Sequence, residues 1–322
     1  MDIVGTIAGW LGDVFDQIRS ISVPILLFAL ALHTCETLLN AVAWRRILGS
    51  AYPRGDVQFG PVLGAYGGGI ALNAVLPAQA GTVAMLGLFR AQIYGSTVPG
   101  VIGAGVVQNA FFAVVGLLVC LVLVVTRPAS FDIKSTWLTN HPLLAVGAAV
   151  VAAIAARILV RRHRYALAAA KEGAAILANP RRYASQVLTV EAASYLMRMA
   201  VTATFMFAYD VPVSVRAVLL IIAVNSISSR FAATPGGVGT QQALAAAALR
   251  NYAPASVVTA YSLGQQLIIA AWDVALGFVL LWFTIGWIAT RDLIRDRNRA
   301  PATQTPAEVE HQAQDSATQT DD

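Results

Sequence analysis

Two short segments containing proline and glycine most constrain what this chain can fold into. They are Pro77–Gly81 and Pro235–Gly239; both have the spacing Pro-x-x-x-Gly, both interrupt apolar sequence, and the interval between them is 158 residues. Proline removes a helical hydrogen bond and glycine permits unusual backbone angles, so each segment predicts a break in a helix. Irregular backbone at membrane depth is tolerated only where protein or a cavity surrounds it. A matched pair of such breaks therefore indicates a transporter-type site.

The rest of the sequence is typical of an all-α integral membrane protein. Hydrophobic residues make up 57% of the 322 residues and charged residues 12%. A membrane span needs about 20 apolar residues, and this criterion predicts about seven spans, at about 22–43, 57–76, 97–126, 139–160, 186–208, 213–232 and 255–289. The segments 77–94 and 234–252 begin with the two breaks and are predicted to be broken or re-entrant helices.

The two halves of the chain are predicted to be an internal two-fold repeat. Shifting the sequence by the interval between the breaks aligns Pro77 with Pro235, Gly81 with Gly239 and Gln108 with Gln266. Repeat one covers about 22–126 and repeat two about 186–289. Each would contain two spans, a broken helix and a long span. The alternative is chance similarity between glycine-rich membrane helices.

Two terminal segments flank the predicted polytopic membrane domain, which covers residues 22–290. Residues 1–21 place apolar side chains at helical spacing, which predicts an interfacial amphipathic helix. Residues 291–322 become rich in Ala, Thr, Gln, Pro and Asp, which predicts a disordered cytoplasmic tail. Segment 157–182 is strongly basic, so the positive-inside rule makes it a cytoplasmic loop of a multi-pass protein in the cell inner (plasma) membrane. The side of the membrane on which the N-terminus lies is left open.

A substrate site is predicted where a new helix begins after each break. The first N–H groups of a helix lack intrahelical partners and its dipole places partial positive charge there, which suits an anion such as phosphate. The candidate substrate-binding residues are the prolines and glycines of the breaks and the polar residues near them: Asn73, Pro77, Gly81, Arg90, Gln108, Arg230, Pro235, Gly236, Gly237, Gly239, Gln241, Gln242 and Gln266. The alternative is that the glycines only allow close helix packing.

Ionisable residues within the apolar spans have competing interpretations. Arg90 pairs with a phosphate through its planar fork, or it snorkels to the membrane surface. Asp273 lies deep in the last long span, where it either carries a proton that couples transport to a gradient or belongs to a structural pair. Glu36, Glu191 and Arg198 lie further from a break.

The sequence favours a protein with no enzymatic activity, no metal site and no cofactor. The histidines lack the spacing of metal ligands, and they are His33, His141, His163 and His311. Cys35 and Cys120 both fall in apolar spans and do not suggest a disulfide or a metal site. No phosphate-binding loop motif is present in the sequence. The net charge of +5 arises from basic residues at the ends of spans and does not suggest nucleic acid.

Both break motifs resemble signatures of the lysylphosphatidylglycerol synthase transmembrane-region family. The first is Asn73-Ala-Val-Leu-Pro-Ala-Gln-Ala-Gly81, followed by Arg90, and the second is Ala233-Thr-Pro-Gly-Gly-Val-Gly-Thr-Gln-Gln-Ala-Leu244. The resemblance covers nearly all of residues 20–290. That family includes the flippase portion of bacterial aminoacyl-phosphatidylglycerol synthases and stand-alone proteins associated with lipid and glycolipid export. The resemblance implies movement of an amphiphile between leaflets. It does not imply lysyl transfer, which belongs to a separate soluble domain in the family.

Three positions that are charged in the family's motifs are neutral here. Thr82 replaces an acidic residue after the first glycine, and Gln241-Gln242 replaces Arg-Glu after the second motif's last glycine. The scaffold is retained while the polar chemistry differs, which argues against an aminoacyl-lipid substrate.

The prediction is a lipid flippase or lipid transporter that moves an anionic phospholipid or a polyprenyl-phosphate-linked glycolipid between leaflets. Its partners would be membrane lipids or lipid-linked glycans, and a homo-oligomer or a membrane glycosyltransferase partner is also open. A groove between the repeats would leave the lipid tails in the bilayer. One alternative is a secondary transporter of a small solute, for which a closed polar cavity is expected. A second alternative is a non-transporting scaffold for a membrane enzyme.

Overall fold

The computed structural model describes residues 21–76, 79–126, 171–228 and 239–299. The chain divides into two compact units, Met1–Leu281 and Trp282–Asp322. Helices and turns make up the described part, which contains no strand, so the prediction of an all-helical fold is confirmed for these residues.

Eight helices longer than two turns occur in the described residues, as two successive sets of four. The first set is α1 (Val23–Ala51), α2 (Phe59–Val75), α3 (Ala80–Gln92) and α4 (Val98–Thr126). The second set is α5 (Thr189–Ala208), α6 (Val215–Ser228), α7 (Thr240–Ala248) and α8 (Ala255–Arg299). The chain enters α5 through a 3₁₀ turn, a single α-helical turn and a π-helical turn, at Ala175–Ala178, Pro180–Tyr183 and Ala184–Leu188. Both sets have the same order of helix lengths. The first helix is longer than the second, the third is the shortest, and the fourth is long.

Three of the described helices are long and apolar enough to cross a membrane. They are Val23–Ala51, Val98–Gly116 and Ala255–Thr284, and Val215–Ser226 in α6 is a shorter apolar helix. The protein is therefore a membrane protein, but the described residues support three clear spans where seven were predicted. One predicted span is shorter as a helix, since α2 has 17 residues, and the predicted span at 213–232 is described only as far as Ser228, over the 14 residues of α6. The predicted span at 139–160 lies outside the described residues.

Several predicted boundaries differ from the helices. α1 continues to Ala51, beyond the predicted end at residue 43. α8 continues to Arg299, so the segment predicted as a disordered tail from residue 291 begins as helix. Residues 300–322 and 1–20 lie outside the described part of the chain, and the loop predicted at 157–182 is described only from residue 171.

α1 is the helix that joins the two sets, because α5 packs along it more extensively than any other pair of helices in the described part. Arg198 of α5 contacts Glu36, and Arg46 further along α1 donates to the Gln186 carbonyl just before α5. Residue numbers thus fall along α5 as they rise along α1, so the two helices are antiparallel.

Two apolar cores lie at opposite ends of α1. One gathers the C-terminal part of α1 with α2, α3 and α4, and its buried side chains include Trp44, Ile47, Val62, Phe89 and Val101. The other gathers the start of α1 with α5 to α8, and includes Ala29, Phe205, Ile221, Leu249 and Tyr261. The stretch of α1 between the cores is polar, with Glu36, Thr37 and Asn40 all buried. This polar stretch positions the charged cluster described below.

A run of glycines lets α2 approach its neighbours closely. A Cβ at Gly69 would lie 2.7 Å from Met85 Cβ of α3, and a Cβ at Gly67 would lie 2.7 Å from Leu280 Cδ1 of α8. Small residues permit such close approach between membrane helices.

Candidate functional site

The first break is a short interruption between α2 and α3. α2 ends at Val75, Gln79 has a left-handed backbone with φ 58°, and α3 begins at Ala80. Pro77 lies outside the described residues. The predicted helix break is therefore present, and a new helix begins after it as expected.

The start of α3 is bonded to α2 through one amide side chain. Asn73 Oδ1 accepts from the Thr82 backbone N–H at 3.2 Å, and Asn73 Nδ2 donates to Thr82 Oγ1 at 3.0 Å. Gly81 is buried against α2, where a Cβ would overlap the Gly69 carbonyl oxygen and lie 2.6 Å from the Asn73 nitrogen. The structure thus gives Gly81 a packing role, which was the alternative interpretation, and engages one N–H of the predicted anion site with Asn73.

The second predicted break lies between α6 and α7. α6 is described as far as Ser228, Gly239 has φ 92°, and α7 begins at Thr240. The predicted site residues Arg230, Pro235, Gly236 and Gly237 lie outside the described residues. Among the described residues, no atom lies within 4 Å of a Cβ built at Gly239, so the positive φ of this residue is the observed reason for glycine here.

Two glutamines connect the start of α7 to the helices around it. Gln241 Nε2 donates to Asn225 Oδ1 of α6 at 2.9 Å. Gln242 Oε1 accepts from the Gly239 N–H at 2.6 Å, while its Nε2 donates to Gln266 Oε1 of α8 at 2.7 Å. Neutral hydrogen bonds thus connect the start of α7 to α6 and α8, as those of Asn73 connect the start of α3 to α2.

A cluster of four ionisable side chains lies between α1, α5 and α8. His33 Nε2 is 2.8 Å from Asp273 Oδ1, and His33 Nδ1 is 3.6 Å from Glu36 Oε2. Glu36 Oε1 accepts from Arg198 Nε at 2.8 Å. Glu36 lies near the middle of α1 and Arg198 near the middle of α5. We call His33, Glu36, Arg198 and Asp273 the charged cluster.

Neighbouring side chains fix the geometry of the charged cluster. The Arg198 guanidinium lies over the Phe112 ring, 5.1 Å from its centroid, which adds a cation–π contact. Trp272 Nε1 donates to Thr34 Oγ1 at 3.0 Å, beside the contact between His33 and Asp273. The side chains of His33, Glu36 and Asp273 are only 13%, 8% and 11% exposed. These three members of the cluster are therefore largely shielded from their surroundings.

Gln108 extends the polar region along α1. Its Nε2 lies 3.5 Å from Asn40 Oδ1, and Asn40 Nδ2 donates to the Glu36 carbonyl oxygen. Gln108 Oε1 is buried without a hydrogen-bond partner among the described residues. The structure thus places Gln108 next to the charged cluster, whereas its proposed equivalent Gln266 accepts a hydrogen bond from Gln242 of α7.

The predicted site residues are divided between separate places. Asn73 and Gly81 lie at the first break, and the residues from Gly239 to Gln242 at the second. Arg90 is exposed at the end of α3, which leaves both interpretations of this residue open. Asp273 has a partner, and that partner is His33.

The sequence does not assign three members of the charged cluster to the site, because Glu36 and Arg198 lie further from a break and His33 lacks the spacing of metal ligands. The signal that would have found them is an ionisable residue within an apolar span. His33 and Glu36 are also three residues apart on one helix, which places them on one face.

The comparison with protein families agrees with the two motifs. The sequence matches the model of the lysylphosphatidylglycerol synthase TM region over residues 3–277. Neither the curated proteins nor the solved structures include a significant match to this chain. The matched family is associated with lipid handling in membranes. Because its model matches most of the chain, this protein belongs to the lysylphosphatidylglycerol synthase TM region family.

Proposed function

We propose that this protein is a lipid transporter that moves an anionic phospholipid or a polyprenyl-phosphate-linked glycolipid between leaflets, without catalysing a reaction. Family membership supports a role with lipids. The observation that carries the choice of a lipid over a small solute is an apolar groove between α1 and α5. The groove has a volume of about 510 Å³ and its lining includes Ile25 and Phe28 of α1 and Ala203 and Phe207 of α5.

The groove would take the lipid tail and not the head group. Its lining is almost entirely apolar, and Phe28 and Phe207 are 58% and 64% exposed. Apolar side chains exposed on a membrane protein are compatible with acyl or isoprenoid chains. A small polar solute would instead need a closed cavity with polar groups converging on it.

The helix arrangement supports transport by movement of two repeats against each other. The sets α1–α4 and α5–α8 have the same order, and their first helices pack antiparallel. Inverted repeats with interrupted helices are a common transporter architecture, in which one repeat rocks against the other. We propose that α3 and α7, each following a break, are the re-entrant elements of such a repeat.

The proposed setting is the cell inner membrane, with the basic segment 157–182 in the cytoplasm. A homo-oligomer and a membrane glycosyltransferase are the proposed protein partners. The head group would meet the protein at the breaks, and Arg90 is an exposed cation in the last turn of α3, at the opposite end of that helix from the first break.

The test is lipid movement by purified protein in vesicles. Phosphatidylglycerol carrying a dithionite-sensitive fluorophore on its acyl chain is the probe, with labelled phosphatidylcholine as the zwitterionic comparison. We expect the protein to make inner-leaflet phosphatidylglycerol accessible to dithionite faster than in protein-free vesicles. Ala203→Trp should fill the groove and slow this movement, whereas Leu196→Trp, at an exposed position of α5 that does not line the groove, should not.

The same vesicles separate the alternatives. A protein that accelerates neither lipid, while an enzyme co-purifies with it, would favour the scaffold. Equal effects of both tryptophan substitutions would exclude the groove as the tail path. Mass spectrometry of lipids retained by the purified protein identifies the natural head group.

A further inference from the structure

The charged cluster connects the two sets of helices through one short stretch of α1. His33 bonds to Asp273 of α8, Thr34 to Trp272 of α8, and Glu36 to Arg198 of α5. All three side-chain contacts run from the first set to the second. Any rocking of one set against the other must break or rearrange these contacts.

The charges of the cluster balance only when the imidazole carries a proton. With a neutral ring, Arg198, which pairs with Glu36, is the one cation that the described residues place in the cluster, against the two carboxylates of Glu36 and Asp273. With a protonated ring, two cations face two carboxylates. Buried charges are tolerated when they are paired and are costly when they are not. The charge balance of the cluster therefore favours one proton bound to the His33 ring.

The contacts of the two His33 ring nitrogens also favour the protonated imidazole. Its Nε2 faces Asp273 Oδ1 at 2.8 Å and its Nδ1 faces Glu36 Oε2 at 3.6 Å. A neutral imidazole has an N–H on one nitrogen and a lone pair on the other. In the neutral ring one lone pair would be directed at a carboxylate oxygen. The imidazolium places an N–H toward both carboxylates.

In the part of the chain that the structure describes, the other groups around His33 do not include a second imidazole. Tyr66 of α2 interacts electrostatically with Glu36, Arg198 and Asp273. Arg198 stays protonated under all relevant conditions. α4, which also packs against α1, has no Asp, Glu, His, Lys or Arg in its sequence.

We propose that His33 is a proton-binding site between the two sets of helices, and that its proton holds α1 and α8 together. This inference rests on the proposed transport function, because it assigns the step that a proton gradient would drive. Proton uptake favours the conformation with α1 bonded to α8. Proton loss leaves two carboxylates facing one arginine and favours separation of the sets. Asp273 is then the acceptor that holds the imidazolium, and His33 is the group that takes up and releases the proton.

The distance between α1 and α8, measured as a function of pH, tests the proton site without depending on transport. Spin labels at Leu27→Cys and Val279→Cys, both exposed positions, report it when Cys35 and Cys120 are replaced by serine and alanine. We expect the population at the short distance to fall as pH rises. His33→Gln keeps a hydrogen-bond donor but cannot hold the proton, so it should remove the pH response. His33→Arg is permanently cationic and should keep the short distance at every pH.

Two results would overturn the proton site. One is a distance distribution that does not change with pH in the parent protein. The other is an unchanged pH response in His33→Gln or His33→Arg, and the second variant covers the case in which the first fails to fold.

A transport arm separates this inference from the proposed function. Vesicles with labelled phosphatidylglycerol are given a pH gradient, and the parent protein is compared with His33→Arg. A gradient response in the parent that is lost in His33→Arg supports both proposals. Lipid movement with an unaltered gradient response in His33→Arg overturns only the proton site. A pH-dependent distance in a protein that moves no lipid overturns only the transport function.

Discussion

Arg198 Nε donates to Glu36 Oε1 at 2.8 Å, and this ion pair joins the middle of α5 to the middle of α1. The two partners are unequally buried, since the Glu36 side chain is 8% exposed and that of Arg198 is 39% exposed. Arg198 also retains its contact with the Phe112 ring. Loss of the ion pair should therefore destabilise the buried Glu36 carboxylate more than the more exposed Arg198 side chain.

Removing the two partners of this pair should have unequal effects on stability. Arg198→Met leaves a buried carboxylate without its main cation, and we expect a loss of about 3–5 kcal/mol. Glu36→Gln keeps an oxygen that accepts from Arg198, and we expect a loss of roughly 1 kcal/mol. Thermal unfolding in detergent measures both, with Cys35→Ser on the exposed face of α1 as the control. Equal losses of stability would show that the difference in burial does not determine the effect of removing each partner.

Gly81 and Gly87 offer a matched comparison within α3. A Cβ at Gly81 would overlap the Gly69 carbonyl oxygen of α2, whereas a Cβ at Gly87 would have no atom within 4 Å. Gly81→Ala should lower stability by about 1–3 kcal/mol, the range for overpacking, because backbone atoms must move. Gly87→Ala should raise it by up to about 1 kcal/mol through helix propensity. The thermal midpoints of the two variants measure these changes in stability. An unchanged midpoint in Gly81→Ala would contradict the close packing of α2 on α3.

The first break could be predicted from the sequence because proline and glycine act locally. The residues Pro77 to Gly81 are consecutive, and their effect on the helix does not depend on what the chain does elsewhere. What Gly81 faces could not be predicted in the same way. Its neighbour Gly69 belongs to another helix, and only the packing of α2 on α3 distinguishes a close helix contact from an open anion site.

The charged cluster could not be assembled from sequence because its contacts are long-range. His33 and Asp273 are 240 residues apart, and Glu36 and Arg198 are 162 residues apart. An ionisable residue in an apolar span signals a functional or structural partner but does not name it. The sequence marks Asp273 by its depth in the span, whereas its partner His33 has no metal-ligand spacing that would mark it.

Asn73 should contribute to stability through the start of α3. Its side chain accepts from the Thr82 N–H and donates to Thr82 Oγ1, so Asn73→Ala removes both bonds. We expect a loss of about 1–2 kcal/mol, as for the loss of a helix cap. Asn73→Asp should retain most of the stability, because a carboxylate accepts from the N–H and from the threonine hydroxyl. Asn109→Ala, which removes an exposed bond to the Gly105 carbonyl, is the control. A larger loss in Asn73→Asp than in Asn73→Ala would refute the capping role.

Gly239 should resist substitution for a reason that differs from that of Gly81. Its φ of 92° is unfavourable for residues with a side chain, although a Cβ there would have no atom within 4 Å. Gly239→Ala should therefore cost about 1–3 kcal/mol through backbone strain alone. The backbone N–H of residue 239 also donates to Gln242 Oε1 at 2.6 Å, so relaxing the strained angle would disturb the start of α7. Gly116→Ala in α4 is the matched control, since a Cβ there also has no atom within 4 Å and the position is helical. Thermal unfolding of the two variants separates strain from packing. If both substitutions have the same effect, the positive φ does not determine the choice of glycine at the second break.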